Sequence, residues 1–207
     1  MADIEHAFPL FPLDLVALPS EVVPLHIFEE RYIVMIEQCL ANDSEFGIIW
    51  RSEEGLRDIG CACSVAEVLE RAADGRLNIL TRGTRVLRVI EQQDDLPYPA
   101  GVIEFLDDHD EAVDSDALAA AHAAYAELVF QATEREPDPG DLSTTSSYEM
   151  AATVDFGLEA KQGLLDLRSE NARLILVARL LLAATKRLDF VERAQVRAKS
   201  NGKVRFG

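Results

Sequence analysis

Residues Glu21–Tyr32, which read E-V-V-P-L-H-I-F-E-E-R-Y, decide the fold of this chain. Their first half, Val22–Ile27, is mostly apolar and passes through Pro24. Because proline has no amide hydrogen to give to a sheet, this pattern predicts a strand that lies at an edge or bends at Pro24. Glu29 and Glu30 follow where carboxylates complement the positive end of a helix dipole. The predicted buried face of that helix comprises Phe28, Tyr32, Met35, Ile36, Cys39 and Leu40.

Short apolar runs surround this stretch and predict a mostly antiparallel β region. Ala7–Leu18 contains two prolines, which suits a first strand at the margin of a sheet. Ile59–Leu69 alternates as a half-buried strand does, and Asp74-Gly75 is a strong hairpin signal. Gly83 is expected to break the returning chain into two strands. The other predicted strands are Phe46–Trp50, Leu77–Thr81, Arg85–Glu91 and Gly101–Leu106. About six strands and one early helix predict a compact, partly closed barrel.

The composition changes after residue 107, where β-branched residues give way to alanine-rich segments. We therefore predict a β-barrel subdomain at residues 1–107, a bundle-like helical subdomain at 108–193 and a basic, flexible tail at 194–207. Ser169-Glu170-Asn171 opens the longest predicted helix. Its apolar stripe is Leu174, Val177, Ala178, Leu181, Ala184, Leu188 and Val191.

The charge and the ends of the chain restrict its partners. The 207 residues carry a net charge of −17, and such an acidic surface repels phosphate backbones. The first six residues are acidic where a secretory signal needs positive charge. The longest apolar run, Leu174–Ala184, contains Arg179 and is too short to span a membrane. Three cysteines, an odd number, fit reduced thiols. The sequence therefore predicts a cytoplasmic protein whose partners are neither nucleic acid nor membrane.

The common catalytic motifs are missing from the sequence. It contains no G-x-x-x-x-G-K-[ST] loop to cradle a nucleotide phosphate, and no G-x-S-x-G, H-E-x-x-H or G-x-G-x-x-G motif. We therefore predict no catalytic residue, no cofactor site and no enzyme activity.

Two clusters could in principle bind a metal ion, and each has a simpler interpretation. Cys61 and Cys63 share one face of a predicted strand, but zinc would need two further ligands and a second close pair is missing. The alternative is two small apolar side chains packed beneath the helix. The acidic run Asp107–Glu111 lacks the oxygen spacing of a calcium loop and is typical of a solvated linker. We predict no metal site.

Several different short motifs are distributed over nearly the whole chain. F-P-L-F-P-L at Phe8–Leu13 and a turn at Leu18-Pro19-Ser20 precede P-L-H-I-F-E-E-R-Y at Pro24–Tyr32. The later motifs are Phe46-Gly47-Ile48, Asp74–Val89, Pro97–Glu104, Leu158–Asp166 and Arg173-Leu174. Together they resemble the amino-terminal substrate-binding domain of the Lon protease family, in a free-standing form without the ATPase and peptidase modules. Ser20 stands where that family usually has glycine.

This resemblance implies a fold and a function. The implied fold is of the α+β class, with a PUA-like β pseudobarrel, one early helix and a helical carboxy-terminal subdomain. The implied function is a non-enzymatic module that binds unfolded or exposed apolar polypeptide segments. An edge strand can accept such a segment by strand addition, and a neighbouring groove can take its side chains. The candidate peptide-binding residues are Phe11, Leu25, Phe28 and Tyr32.

Two other functions are compatible with the same resemblance. One is an adaptor or scaffold that binds a single folded partner protein. The other, a binder of RNA or of a small molecule, rests only on the likeness to the PUA fold, and fold analogy alone is a weak argument.

Overall fold

A ring of strands forms the first part of the computed structural model, which describes the backbone of residues 3–93 and 95–201 and the side chains of those residues up to 190. The strands are β1 (Asp3–Leu13), β2 (Val22–Ile27), β3 (Phe46–Ser52), β4 (Gly55–Leu56), β5 (Ile59–Arg71), β6 (Leu77–Gln93) and β7 (Ala100–Phe105). They pair in the order β1-β7-β6-β5-β3, and β3 returns to β1 through a parallel pairing. These strands therefore close into a barrel, while β2 adds to β6 and β4 adds to β3.

Strand β1 closes the barrel, so the prediction that it lies at a sheet margin is wrong. Its first half pairs with β7 as far as Pro9, and its second half, Leu10–Leu13, pairs with β3. Each half has a registered neighbour on one side only. This arrangement explains how a strand that closes a barrel tolerates Pro9 and Pro12, because an amide hydrogen on the other side would have no partner.

Strand β6 runs unbroken through Gly83, which was expected to divide it. A Cβ atom at Gly83 would lie 2.1 Å from the carbonyl oxygen of Leu18, so only glycine leaves room for the turn that precedes β2. The Gly83 amide donates to the Glu21 carbonyl at 2.9 Å, and its own carbonyl accepts from the Ser20 amide at 2.8 Å. Gly83 therefore lets β2 and its turn pack against the middle of β6.

The alternation predicted for β5 is wrong at its start. Cys61, Ala62 and Cys63 are all fully buried, and the register against β6 shifts between the two cysteines. Ala62 belongs to the barrel core with Phe8, Leu10, Ile49, Leu87, Ile103 and Phe105. This segment is buried on both faces because the barrel core lies on one side and helices α1 (Glu30–Asn42) and α5 (Leu158–Asp166) contact β5.

The remaining helices are α2 (Ser115–Thr133), α3 (Pro139–Thr144), α4 (Ser147–Ala152) and α6 (Glu170–Asn201). Helix α2 is capped by Asp114, whose side chain accepts hydrogen bonds from the amides of Asp116 and Ala117. In α6 the predicted stripe is confirmed at Leu174, Val177 and Leu181, which are buried. Leu188 is exposed, and the side chain of Val191 lies outside the described residues.

Contacts divide the chain into two units. The first contains Met1–Glu111 and Tyr148–Glu170, and the second contains Ala112–Ser147 and Asn171–Gly207. Helix α5 thus groups with the barrel because it packs on β5. The division into domains at 1–107, 108–193 and 194–207 stays a prediction. The backbone of α6 extends to Asn201, whereas residues 202–207 and the side chains after 190 lie outside the described residues.

The α+β class, the early helix and the helical carboxy-terminal region are confirmed. The relation to the PUA fold stays a prediction.

Ser20 gives the first testable prediction, because it adopts a left-handed backbone with φ of +69°. A side chain in this region costs about 1 kcal/mol relative to glycine. We expect Ser20→Gly to raise the free energy of unfolding by about 1 kcal/mol, measured by urea denaturation. Ser20→Ala keeps the strain and should give no increase. Equal stability of the glycine and alanine variants would contradict this explanation.

Candidate functional site

The four candidate peptide-binding residues do not share one surface. Phe11 and Tyr32 are buried, with ring centroids 4.2 Å apart, so they pack against each other inside the first unit. Leu25 is half-buried on the inner side of β2, between the buried Val23 and Ile27. Phe28 is the exposed member, with 62% of its surface accessible. Of the four residues, Phe28 can therefore contact a ligand on the folded surface, and Leu25 can do so in part.

Phe28 was predicted to head the buried face of α1, and this prediction is wrong. The helix begins at Glu30, with Glu29 as its amino-terminal cap, so Phe28 lies in the connection between the last strand residue and the helix. Neither the helical nor the strand periodicity applies at that point. The buried face of α1 consists of Tyr32, Met35, Ile36 and Cys39.

Strand β2 has a free edge among the described residues, as its proline predicts. It pairs with β6 from Val22↔Arg82 to Ile27↔Leu77. Within the described residues, 3–93 and 95–201, no second strand pairs with it. The Glu21 carbonyl accepts from Gly83 on β6, so alternation along the strand turns the backbone groups of Val22, Pro24 and His26 towards the free edge. Because Pro24 lacks an amide hydrogen, this edge offers fewer donors than acceptors to an added strand.

A chain of hydrogen bonds crosses the outer face of the sheet beside Phe28. The side-chain nitrogen of Asn78, Nδ2, donates to the Glu70 carboxylate at 2.8 Å, and the side-chain oxygen of Asn78, Oδ1, lies 2.6 Å from His26 Nδ1. Since the carboxylate can only accept, Asn78 turns its oxygen to His26, and Nδ1 must carry the proton. The His26 ring in turn stacks on Phe28 with centroids 5.8 Å apart. Phe28 is thus an exposed aromatic ring supported by an ordered polar neighbour.

An ion pair holds the start of β2 to helix α5. Lys161 Nζ lies 2.5 Å from Glu21 Oε1, and the two side chains are only 10% and 14% exposed. Glu21 Oε2 also accepts from the Leu18 amide at 2.9 Å. The sequence analysis missed this pair, although Lys161 lies three and four residues before Leu164 and Leu165 and so shares their buried face.

The cysteines are packed as small core side chains. Cys39, Cys61 and Cys63 are all free and buried. Burial raises the pKa of the Cys39 thiol, and it raises the pKa of the Cys61 thiol well above its usual value, with the neighbouring Cys63 adding to the effect. Over residues 3–93 and 95–190, no group of three or more His, Cys, Asp or Glu side chains stands close enough to hold a metal ion.

No helix within the described part of the chain is long and apolar enough to cross a membrane.

Comparison with known proteins identifies the family. The family model described as the ATP-dependent protease La (LON) substrate-binding domain matches residues 7–183. The chain belongs to this family.

Curated relatives and solved structures agree with this assignment. Lon protease 2 of Myxococcus xanthus is 26% identical over 200 residues, which cover 86% of this chain and 24% of that protease. Lon protease of Escherichia coli (strain K12) is 24% identical over 186 residues, which cover 80% of this chain and 23% of that protease. The chain thus spans about a quarter of the length of these relatives.

The structural neighbours are Lon amino-terminal domains. The crystal structure of a Lon N-terminal domain protein from Xanthomonas campestris has a TM-score of 0.62 and 22% identity, and covers 81% of this chain and 94% of that chain. The N-terminal domain of Lon protease from the Mycobacterium avium complex has a TM-score of 0.57 and 22% identity, and covers 86% of this chain and 97% of that chain. At this level of identity, the likeness concerns the fold.

The ion pair between Glu21 and Lys161 gives a prediction on stability. Lys161→Met leaves the Glu21 carboxylate buried without its cation and should lower the free energy of unfolding by about 3 kcal/mol. The double variant Glu21→Gln/Lys161→Met removes both charges and should be more stable than Lys161→Met alone. Urea denaturation measures both changes. Arg76→Met is the control, because its pair with Asp74 is exposed and its loss should leave stability nearly unchanged. Equal costs for Lys161→Met and Arg76→Met would contradict the prediction.

The thiols give a prediction on reactivity. Because burial raises the pKa of Cys39 and Cys61, the fraction of reactive thiolate is small at neutral pH. We expect a disulfide reagent that reports thiolate release to detect almost no reaction in the native protein at pH 8, and three thiols per chain in denaturant. One rapidly reacting thiol in the native protein would show that a cysteine is accessible.

Proposed function

We propose that this chain is a non-enzymatic module that binds polypeptides and selects unfolded or exposed apolar segments. Membership of the Lon substrate-binding family supports a role in recognising polypeptides. The observation that carries the finer proposal is Phe28, a large apolar ring left exposed beside the free edge of β2. With a charge of −17 on the chain, we also propose that the partner is neither nucleic acid nor an anionic membrane, and that the protein acts in the cytoplasm.

The contribution of Phe28 to the free energy of binding has an upper limit. A phenylalanine side chain buries about 200 Å² when fully enclosed, so the exposed part of Phe28 offers on the order of 120 Å² to a ligand. At about 25 cal/mol per Å², covering it contributes at most about 3 kcal/mol. A single contact of this size supports weak and reversible binding, which suits a module that surveys many chains.

The backbone of β2 has a smaller role in this proposal. Strand addition at the edge would be interrupted at Pro24, which offers a carbonyl but no amide hydrogen. A bound segment would therefore gain more from its apolar side chains against Phe28 and Leu25 than from a continuous hydrogen-bond ladder. The proposed preference is accordingly for apolar composition and not for a particular sequence.

The proposal predicts that the protein binds a permanently unfolded polypeptide, such as a reduced and alkylated globular protein, and not its folded counterpart. Fluorescence anisotropy with the labelled unfolded chain should show binding that persists when salt is raised, because the contact is apolar. Phe28→Ser should weaken the binding about tenfold or more, since it removes most of the exposed ring.

The matched control is Ile90→Ser. Ile90 is 53% exposed on the half of β6 that pairs with β7, so it tests a comparable loss of apolar surface away from Phe28. Its binding should equal that of the unaltered protein. Equal binding by the Phe28→Ser variant would remove Phe28 from the proposed surface. Absence of binding to both forms of the probe would reject recognition of unfolded segments and favour the alternative, an adaptor for one folded partner.

A further inference from the structure

A pocket in the barrel wall, lined by residues other than Phe28, is a second candidate for ligand binding. It is a narrow pocket of about 40 Å³ between β1, β3, β6 and β7, with the β3–β4 hairpin at its rim. Leu10 and Ile49, which belong to the barrel core, form part of its lining together with Val89 and Ala100. A water molecule needs roughly 10 to 15 Å³ by the same measure, so the pocket has room for about three waters or one small aliphatic side chain.

A cation stands at the rim of this apolar pocket. Arg57 lines it, and the Arg57 Nε atom is buried and has no hydrogen-bond partner among the described residues. The Arg57 guanidinium lies 5.2 Å from the ring of Trp50, which helps to hold it in place. A buried donor without an acceptor is costly, so this position favours a ligand that supplies an oxygen.

The two carboxylates nearest to the Arg57 guanidinium do not form hydrogen bonds with it. Its Nη2 atom lies 3.7 Å from carboxylate oxygens of both Glu54 and Glu159, beyond hydrogen-bond distance. These two carboxylates are 83% and 78% exposed, so water screens the attraction. Asp58 also lines the pocket and is exposed. An incoming carboxylate that makes direct hydrogen bonds to Arg57 can therefore displace the two distant ones.

We propose that this pocket receives the carboxy-terminal residue of a polypeptide, an inference that rests on the proposed function in polypeptide binding. A small aliphatic side chain fills the space between Leu10, Ile49 and Val89, and the terminal carboxylate accepts hydrogen bonds from Arg57. The carboxy-terminal residue of a chain fits this description because its side chain and its carboxylate are attached to the same Cα atom. An internal residue lacks the carboxylate, and an internal Asp or Glu lacks the aliphatic group.

The test compares two labelled hexapeptides that end in leucine and differ only in a free carboxylate or an amide. Fluorescence anisotropy with the unaltered protein should give a dissociation constant at least about tenfold lower for the acid than for the amide, since a charged hydrogen bond is lost in the amide. Equal affinity for the two peptides, or no binding of either, would overturn the proposal.

Three variants sharpen the comparison. Arg57→Gln should abolish the preference for the acid. Glu54→Gln should tighten binding of the acid, because it removes a competing carboxylate from an exposed position, and partial unfolding cannot produce a gain of this kind. Val89→Phe should weaken both peptides by filling the pocket. An Arg57→Gln protein that still prefers the acid would overturn the assignment of Arg57.

The same variants separate this proposal from the one on Phe28. Arg57→Gln should leave binding of an unfolded polypeptide with an amidated carboxy terminus unchanged, and Phe28→Ser should leave the preference for the hexapeptide acid unchanged. If unfolded chains bind while acid and amide peptides are indistinguishable, the pocket proposal fails alone. If the acid binds selectively while unfolded chains do not bind through Phe28, the proposal on apolar segments fails alone.

Discussion

The close contact between Gly83 and the turn that contains Leu18 fixes the position of strand β2 and of the residues that pack beside it. The Gly83 amide and carbonyl bond to Glu21 and Ser20, and these bonds fix the register of β2 on β6. That register decides which side chains of β2 face inwards and where the strand ends. It also places Glu21 beside Lys161, so helix α5 is attached to the barrel at the same point. Phe28 is exposed because the strand ends at Ile27 and the helix begins only at Glu30.

Local patterns in the sequence predicted most of the elements. The strand at Val22–Ile27, the helix that follows it and the Asp74-Gly75 hairpin depend on neighbouring residues, and their signals are readable in a short window. The errors lie where distant parts of the chain meet. From the sequence alone, Gly83 is typical of a strand break. The structure shows that glycine is needed there because the Leu18 backbone lies too close for a side chain. Likewise, the prolines of β1 suggest a sheet margin until the strand is seen to change partners between its two halves.

The candidate site was predictable to a smaller extent. Phe28 was chosen from the sequence together with Phe11 and Tyr32, yet these two are buried against each other. Sequence spacing cannot distinguish an aromatic ring in the core from one at the surface when both lie near the end of an element. Arg57 had no signal at all, because the pocket beside it is built by strands that are far apart in the chain. A buried donor such as Arg57 Nε can be recognised as lacking an acceptor only when its surroundings are known.

The division of β1 between two partners has a consequence for how the barrel forms during synthesis. The residues that pair with its first half, Ala100–Phe105, leave the ribosome almost one hundred residues after β1 itself. Until then the amino-terminal half-strand lacks the strand with which it pairs in the finished barrel. Closure is therefore a late, long-range event that carries a large loop-closure cost, and such pairings are formed slowly. The ring of Phe8, which is buried in the finished barrel, therefore stays exposed until β7 has been synthesised.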